Sequence, residues 1–248
     1  MKKMAEMDWI HPSWDIPNKV RSLVTTRFDG ASEGIYASLN LGMHVGDNPD
    51  HVLQNRQILK AAIGAKPVWL NQVHGSDTII IDENTEDHLD ADAAITSTPG
   101  VACAVMLADC LPILLCDRGA SMVAAVHAGW KGLARGVIEE TVAKMGLSPT
   151  RLMAYLGPSI GQSCFSVKSD VRAAFLSLDK ANDRFFKPSE EAGKWYADLS
   201  GLAEKKLVDL GISSIDIADR CTVCDCHFFS YRREGVTGRF AALIWIEK

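Results

Sequence analysis

Apolar residues along this chain recur at two spacings. Residues 21–26 read as a strand, and the polar, glycine-containing stretch 29–34 follows it. Asp47-Asn48-Pro49-Asp50 opens a helix, because Pro49 is tolerated in a first turn and Asp50 sits at the positive end of the helix dipole. Val52, Leu53, Ile58, Leu59 and Ile63 then keep helical spacing. Short strands are predicted at 68–70, 78–81 and 93–96, then three packed closely together at 102–107, 113–116 and 122–127. A helix from about 131 to 145 carries Val137, Ile138, Val142 and Met145 on its apolar side, with Gly146 as its stop. A strand at 153–156 ends at Gly157-Pro158, helices follow near 170–178 and 198–210, and strands at 215–217 and 240–246 close the chain. Strict strand–helix–strand alternation is missing. The pattern therefore predicts an α/β (α+β-like) fold with a large mixed sheet flanked by helices, and not a doubly wound one. No repeat, low-complexity tract or linker divides the chain, so residues 1–248 are expected to form one catalytic domain.

A hydrophobic content of 47% is enough for a substantial core. The net charge of −5, from 26 basic and 31 acidic residues, argues against broad nucleic-acid binding. The longest apolar tract, 101–116, is interrupted by Asp109 and too short to span a bilayer, so no membrane role is expected. Residues 1–14 carry lysines but no apolar stretch of a secretory signal. Seven cysteines leave at least one thiol unpaired, and reduced thiols in the cytoplasm are expected.

His74, Cys110 and His127 each close an apolar run and are each followed by a residue that breaks regular structure. Two imidazoles and a thiolate at neighbouring strand ends can bind one borderline-soft divalent metal and leave a fourth position open, as catalytic zinc sites do. Their separations of 36 and 17 residues match no short metal motif, so the competing reading is two core histidines and a buried cysteine. Gly75 and Gly129 beside the histidines allow close approach of backbone or substrate. Asp109 is a candidate base or ligand-orienting group, against the simpler role of a turn cap. Arg56, by its local sequence, reads as a surface charge. The cluster Cys221-Thr222-Val223-Cys224-Asp225-Cys226-His227 contains zinc-like C-x-x-C spacing but no second knuckle, so reduced structural thiols compete with a second metal there. Phe228 to Gly235 joins aromatics to Arg232 and Arg233, with Arg239 shortly after, a patch suited to a phosphate or a base. There is no P-loop, no G-x-G-x-x-G, no G-x-S-x-G and no deaminase H-x-E with P-C-x-x-C.

The stretches N-Q-V-H-G (71–75), A-D-C-L-P (108–112), H-A-G-W-K-G (127–132), L-G-P-S-I-G (156–161) and F-S-Y-R-R-E-G (229–235) resemble the YfiH family. Its members are also called laccase-domain, polyphenol-oxidase-like or peptidoglycan-editing-factor proteins. S-L-N-L-G-M-H-V-G-D (38–47) and N-R (55–56) look like its N-terminal motifs, so the resemblance runs from about Thr25 to the C-terminus. It implies a zinc ion on His74, Cys110 and His127. It also implies purine nucleoside phosphorylase activity on adenosine and inosine, with adenosine deaminase and methylthioadenosine phosphorylase activities beside it. By the same resemblance Arg56 is the phosphate arginine, and Asn40 and His44 are further pocket candidates. The expected partners are purine nucleosides and inorganic phosphate, and the expected state is a monomer or weak homodimer. Two other readings stay open. One is a copper-dependent polyphenol oxidase, although the chain has only seven histidines and no H-x-H pair for a trinuclear cluster. The other is a peptidoglycan-editing hydrolase with Cys110 as nucleophile and His127 as base.

Overall fold

Val101–Leu107, Leu111–Asp117, Val123–Ala128 and Phe240–Ile246 are buried at every position. A strand achieves that only with protein on both faces. In the computed structural model, which describes residues 7–248, these strands lie in the middle of two stacked sheets.

The first half of the chain supplies β1 (Val20–Val24), α1 (Pro49–Ile63), β2 (Lys66–Trp69), β3 (Thr78–Ile80), β4 (Ala93–Thr96), β5 (Val101–Leu107), β6 (Leu111–Asp117) and β7 (Val123–Ala128). After it come α2 (Trp130–Arg135), α3 (Val137–Met145), β8 (Leu152–Leu156), β9 (Ser166–Lys168), α4 (Ser169–Leu178) and β10 (Phe186–Pro188). The last elements are β11 (Lys194–Ala197), α5 (Leu199–Asp209), β12 (Ser214–Ile217), α6 (Tyr231–Glu234) and β13 (Phe240–Ile246). One sheet has the order β1-β13-β5-β2 and the other β12-β8-β6-β7-β4-β3. Both are mixed: β2 and β5 run parallel in the first, as do β12 with β8 and β3 with β4 in the second. The mixed α/β class expected from the sequence holds, with the strands divided between two large sheets.

Side chains alternate across each strand, and the alternation sorts the apolar residues into three layers. Val101, Cys103, Val105 and Leu107 of β5 face Leu114 and Cys116 of β6 and Val123 and Ala125 of β7 between the sheets. Ala102, Ala104 and Met106 point the other way, onto Leu59 and Ile63 of α1. Ile113, Leu115, Ala124 and Val126 carry the opposite face of the six-stranded sheet, under Leu133 of α2, Val137 and Ile138 of α3 and Leu202 of α5. Each fully buried Leu or Ile contributes about 1.5–3 kcal/mol, so the strand ends on which the candidate site stands are held from both sides.

The start of α1 is as expected: Asn48 accepts from the backbone N–H of Asp50, and Pro49 opens the first turn. The single helix predicted over 131–145 is instead two, α2 and α3, because Gly136 adopts φ 90 and ends the first. A small antiparallel sheet, β10-β11-β9, was not anticipated, since its strands have only three or four residues each. Among the described residues no helix is long and apolar enough to cross a membrane.

Candidate metal centre

His127 lies on β7 at a position whose parity matches Val123 and Ala125, so its ring points between the sheets at one end of the layer. Its β6 partner is Pro112. Two residues earlier, Cys110 ends the β5–β6 turn and packs against the same layer. His74 comes from the loop after β2. The structure thus brings together three residues from separate segments, with their donor atoms within 4.8 Å of one another. Cys110 Sγ is 3.9 Å from His74 Nε2, and the two imidazole rings meet edge to face with centroids 4.8 Å apart. His127 is buried, Cys110 half-buried and His74 exposed. The cluster is therefore supported from behind and open in front.

Asp92, fully buried just before β4, organises two of the three. Its Oδ1 accepts from His127 Nδ1 at 2.7 Å. That contact assigns the Nδ1 proton and turns Nε2 toward Cys110 and His74. The same carboxylate accepts the backbone N–H groups of His74 (3.0 Å) and Gly75 (2.6 Å), while its backbone carbonyl accepts from His127 N at 2.7 Å. These bonds hold His74 in the left-handed region at φ 58, a conformation that a non-glycine residue keeps only where its surroundings over-determine it. Burial works against the Asp92 carboxylate, but the bonds from His127, Gly75 and His74 prevail and hold it below the usual range. Nothing in the local sequence D-A-D-A-A-I marks Asp92 as more than a strand-start residue, and the sequence reading missed it.

Gly129 shows how closely the cluster is fitted. A Cβ there would lie 3.0 Å from His74 Cδ2 and 3.1 Å from Cys110 Sγ. Burial disfavours the Cys110 thiolate, yet the His127 charge and hydrogen bonds from both histidines bring its pKa down to about 6. Burial likewise opposes protonation of His127, but the Cys110 thiolate and Asp92 raise its pKa well above the ordinary imidazole value. Two imidazoles and a readily ionised thiol, with Asp92 behind one ring, form a donor set suited to a zinc-like divalent ion. In metal-depleted protein, alkylation of Cys110 is expected to follow an apparent pKa near 6 and to be suppressed by adding zinc. Peptide mapping after iodoacetamide treatment over a pH range from about 5 to about 9 checks this. A midpoint in the ordinary thiol range would contradict it.

In front of the cluster lies a cavity of about 340 Å³, lined by His44, Gln72, Met106, Ile160, Phe165, Arg232 and Arg239 together with the three donors. Of the other expected site residues, Asp109 does reach the cavity wall. Both of its carboxylate oxygens are engaged, however: Oδ1 accepts from Thr222 Oγ1 and Oδ2 from Arg232 N, each at 2.6 Å. Such a carboxylate holds a loop in place and is poorly arranged to act as a base. Arg56 is not brought to the cavity. Its Nε donates to the Leu41 carbonyl at 3.0 Å and its guanidinium stacks on Trp69, behind Met106. Arg239 stands there instead, with its backbone N–H held by Asn40 Oδ1 at 2.8 Å. Asn40 is fully buried and acts from behind, while His44 lines the cavity itself. Burial and the charges of Arg239 and Arg56 lower the pKa of His44, so its ring is neutral near pH 7.

Comparison with known proteins agrees with this architecture. The family model described as multi-copper polyphenol oxidoreductase laccase matches residues 21–247. The chain is 47% identical over 241 residues to the purine nucleoside phosphorylase YfiH of Shigella flexneri, covering 96% of this chain and 98% of that one. It is 46% identical over 241 residues to the protein of the same name from Escherichia coli K12, with the same coverage. The crystal structure of the Neisseria meningitidis protein NMB0706 matches with a TM-score of 0.94 at 45% identity, over 97% of this chain and 100% of that one.

Proposed function

Since the chain belongs to the YfiH family, whose model carries the laccase description, we propose that it is a cytoplasmic zinc-dependent purine nucleoside phosphorylase acting as one catalytic domain. Adenosine and inosine would be cleaved with inorganic phosphate to the free base and ribose 1-phosphate. The observation that carries the reading is the His74–Cys110–His127 cluster opening into a cavity that two arginines line.

His74, Cys110 and His127 would hold the ion. When bound, it supplies Lewis-acid polarisation of an oxygen and a strong local positive charge. The chain's own residues do the rest. Arg239 and Arg232 would bind and aim the phosphate, whose oxygen bonds to the anomeric carbon as the carbon–nitrogen bond to the purine breaks. Burial lowers the Arg239 pKa while Cys110 and Asp109 raise it, and an arginine keeps its charge under such opposing effects. Neutral His44 can donate one hydrogen bond and accept another, which suits a ribose hydroxyl or the phosphate. Met106, Ile160 and Phe165 offer the purine an apolar wall.

The test is release of free base from adenosine and inosine by metal-quantified protein, with and without phosphate. Phosphate-dependent release is expected, and the same incubations report the deaminase activity and, with methylthioadenosine, the third activity. Arg239→Met should raise the KM for phosphate about tenfold or more, as loss of a charge-assisted hydrogen bond implies. Arg56→Met should leave that KM nearly unchanged and act instead on stability, through Leu41 and Trp69. Base release that ignores phosphate would refute the assignment.

Copper oxidase chemistry is less well supported. Among the described residues, the three groups able to hold a metal contain only His74, His127 and His227 between them, too few imidazoles for a trinuclear copper cluster. The cysteine-hydrolase reading predicts that alkylation abolishes activity while chelators spare it; the zinc reading predicts inactivation by chelators.

A further inference from the structure

The β8–β9 connection meets the turn after β12 at a second concentration of thiols. Ser159 bridges to Cys221, and Thr222 N donates to the Ser159 carbonyl at 3.0 Å, which fixes the two segments side by side. Cys164 is thereby carried to within 3.5 Å, sulfur to sulfur, of Cys224, which lies 60 residues away in sequence. The sulfurs of Cys164, Cys221 and Cys224 lie within 4.8 Å of one another. No disulfide joins them. Two thiolates sharing one tetrahedral zinc, with bonds of about 2.3 Å, sit roughly 3.8 Å apart, close to the spacing found.

The backbone around Cys221 is arranged for negative sulfur. Gly161 N–H donates to its Sγ at 3.2 Å. The basic residues nearby point carbonyl-ward around the same loops. Arg232 Nη1 donates to the Cys164 carbonyl at 3.0 Å, and Arg233 Nη1 to the carbonyls of Thr222 (2.8 Å) and Val223 (2.9 Å). Cys226 and His227, which the sequence placed in the same motif, are turned away into a separate group with Asp225. There Asp225 is already shared between Arg220 and His227.

We infer that Cys164, Cys221 and Cys224 form a second metal site, built for a thiophilic divalent cation such as Zn2+ and distinct from the His74–Cys110–His127 centre. An all-sulfur donor set selects such an ion over the harder divalent metals. The site also has a structural consequence. Thr222, between two of its ligands, donates to Asp109, and Phe165, next to the third, lines the cavity with Arg232. The ion would clamp that wall of the cavity.

Apoprotein reloaded with Co2+ and then desalted should retain two equivalents of cobalt per chain. Cys164→Ser and Cys224→Ser should each retain one, and Cys226→Ser should retain both. In Cys110→Ser the remaining equivalent should keep intense near-ultraviolet sulfur-to-cobalt absorption. The zinc-loaded form of that variant should show sulfur neighbours at about 2.3 Å by X-ray absorption. The inference is overturned if the wild type retains only one equivalent and Cys110→Ser removes it. It is equally overturned if mass analysis finds a Cys164–Cys224 disulfide in place of metal in reduced, zinc-supplied protein. Neither result depends on turnover, so the phosphorylase reading stands or falls separately.

Discussion

Cys110→Ser should empty the ion site in front of His127 and lower kcat/KM for inosine phosphorolysis by about a thousandfold or more. Loss of Lewis-acid stabilisation is worth several kcal/mol, and each 1.36 kcal/mol is about a tenfold change in rate. A serine hydroxyl is nearly isosteric with the thiol but does not ionise near neutral pH, so two imidazoles would be left to hold a divalent ion alone. The fold should survive, because Cys110 is only half-buried and ends a turn outside β6. Circular dichroism and thermal unfolding of the variant should therefore overlay those of the wild type within a few degrees. Metal content and turnover measured on the same preparation complete the test, and a variant that turns over at the wild-type rate would disprove the role given to this thiol. His127→Ala should be just as inactive but less stable. Its removal strands the Asp92 carboxylate, which is fully buried, and an uncompensated buried charge is strongly destabilising.

The same contrast between exposed and buried partners explains what the sequence could reveal. His74, Cys110 and His127 were legible because each closes an apolar run in the sequence, although only Cys110 and His127 lie at strand ends and His74 stands in the loop after β2. Arg232 and Arg239 were legible as a basic patch beside aromatics, and both do reach the cavity. Arg56 shows the limit of carrying a role across by motif. Its position in α1 is as expected, but Trp69 and the Leu41 carbonyl take its guanidinium, and neither contact is implied by the residues around it. Cys164 was missed for a related reason: its partner is 60 residues away, so no spacing rule connects them.

The division into two sheets was hidden by the strands themselves. β5, β6, β7 and β13 are buried on both faces, so they show none of the alternation that would tell one face from the other. The break between α2 and α3 was hidden differently. Gly136 lies within an otherwise helical pattern, where a glycine is usually tolerated, and only the observed φ of 90 shows that it ends a helix.

Asp92 is the residue on which sequence and structure differ most, and its replacement carries the second large expected effect. Asp92→Asn should weaken metal binding about 10- to 100-fold, the usual cost of losing a carboxylate behind a metal-bound histidine. An asparagine can offer only one oxygen where the carboxylate uses two. Its NH2 group would face either the Gly75 N–H, which Oδ2 accepts, or the His127 Nδ1 proton and the His74 N–H, which share Oδ1, and these are all donors. Either orientation therefore breaks part of the network: the Gly75 anchor of the turn, or the bonds to His127 and His74 together. Metal-free protein should show the same loss in its pH dependence. The folded-state pKa of Asp92 is depressed, so its contribution to stability is present above the ordinary carboxylate pKa and is lost as pH falls through the depressed value. That of His127 is raised to about 9, so its contribution is complete below the ordinary imidazole pKa and is lost as pH rises through that higher value. Denaturant unfolding of the apo wild type should thus weaken on both the acid and the alkaline side, and Asp92→Asn should flatten both slopes. Competition with a chromophoric chelator measures the affinity. Unchanged zinc binding together with an unchanged pH profile would mean that the carboxylate neither orients His127 nor shapes the His74 turn.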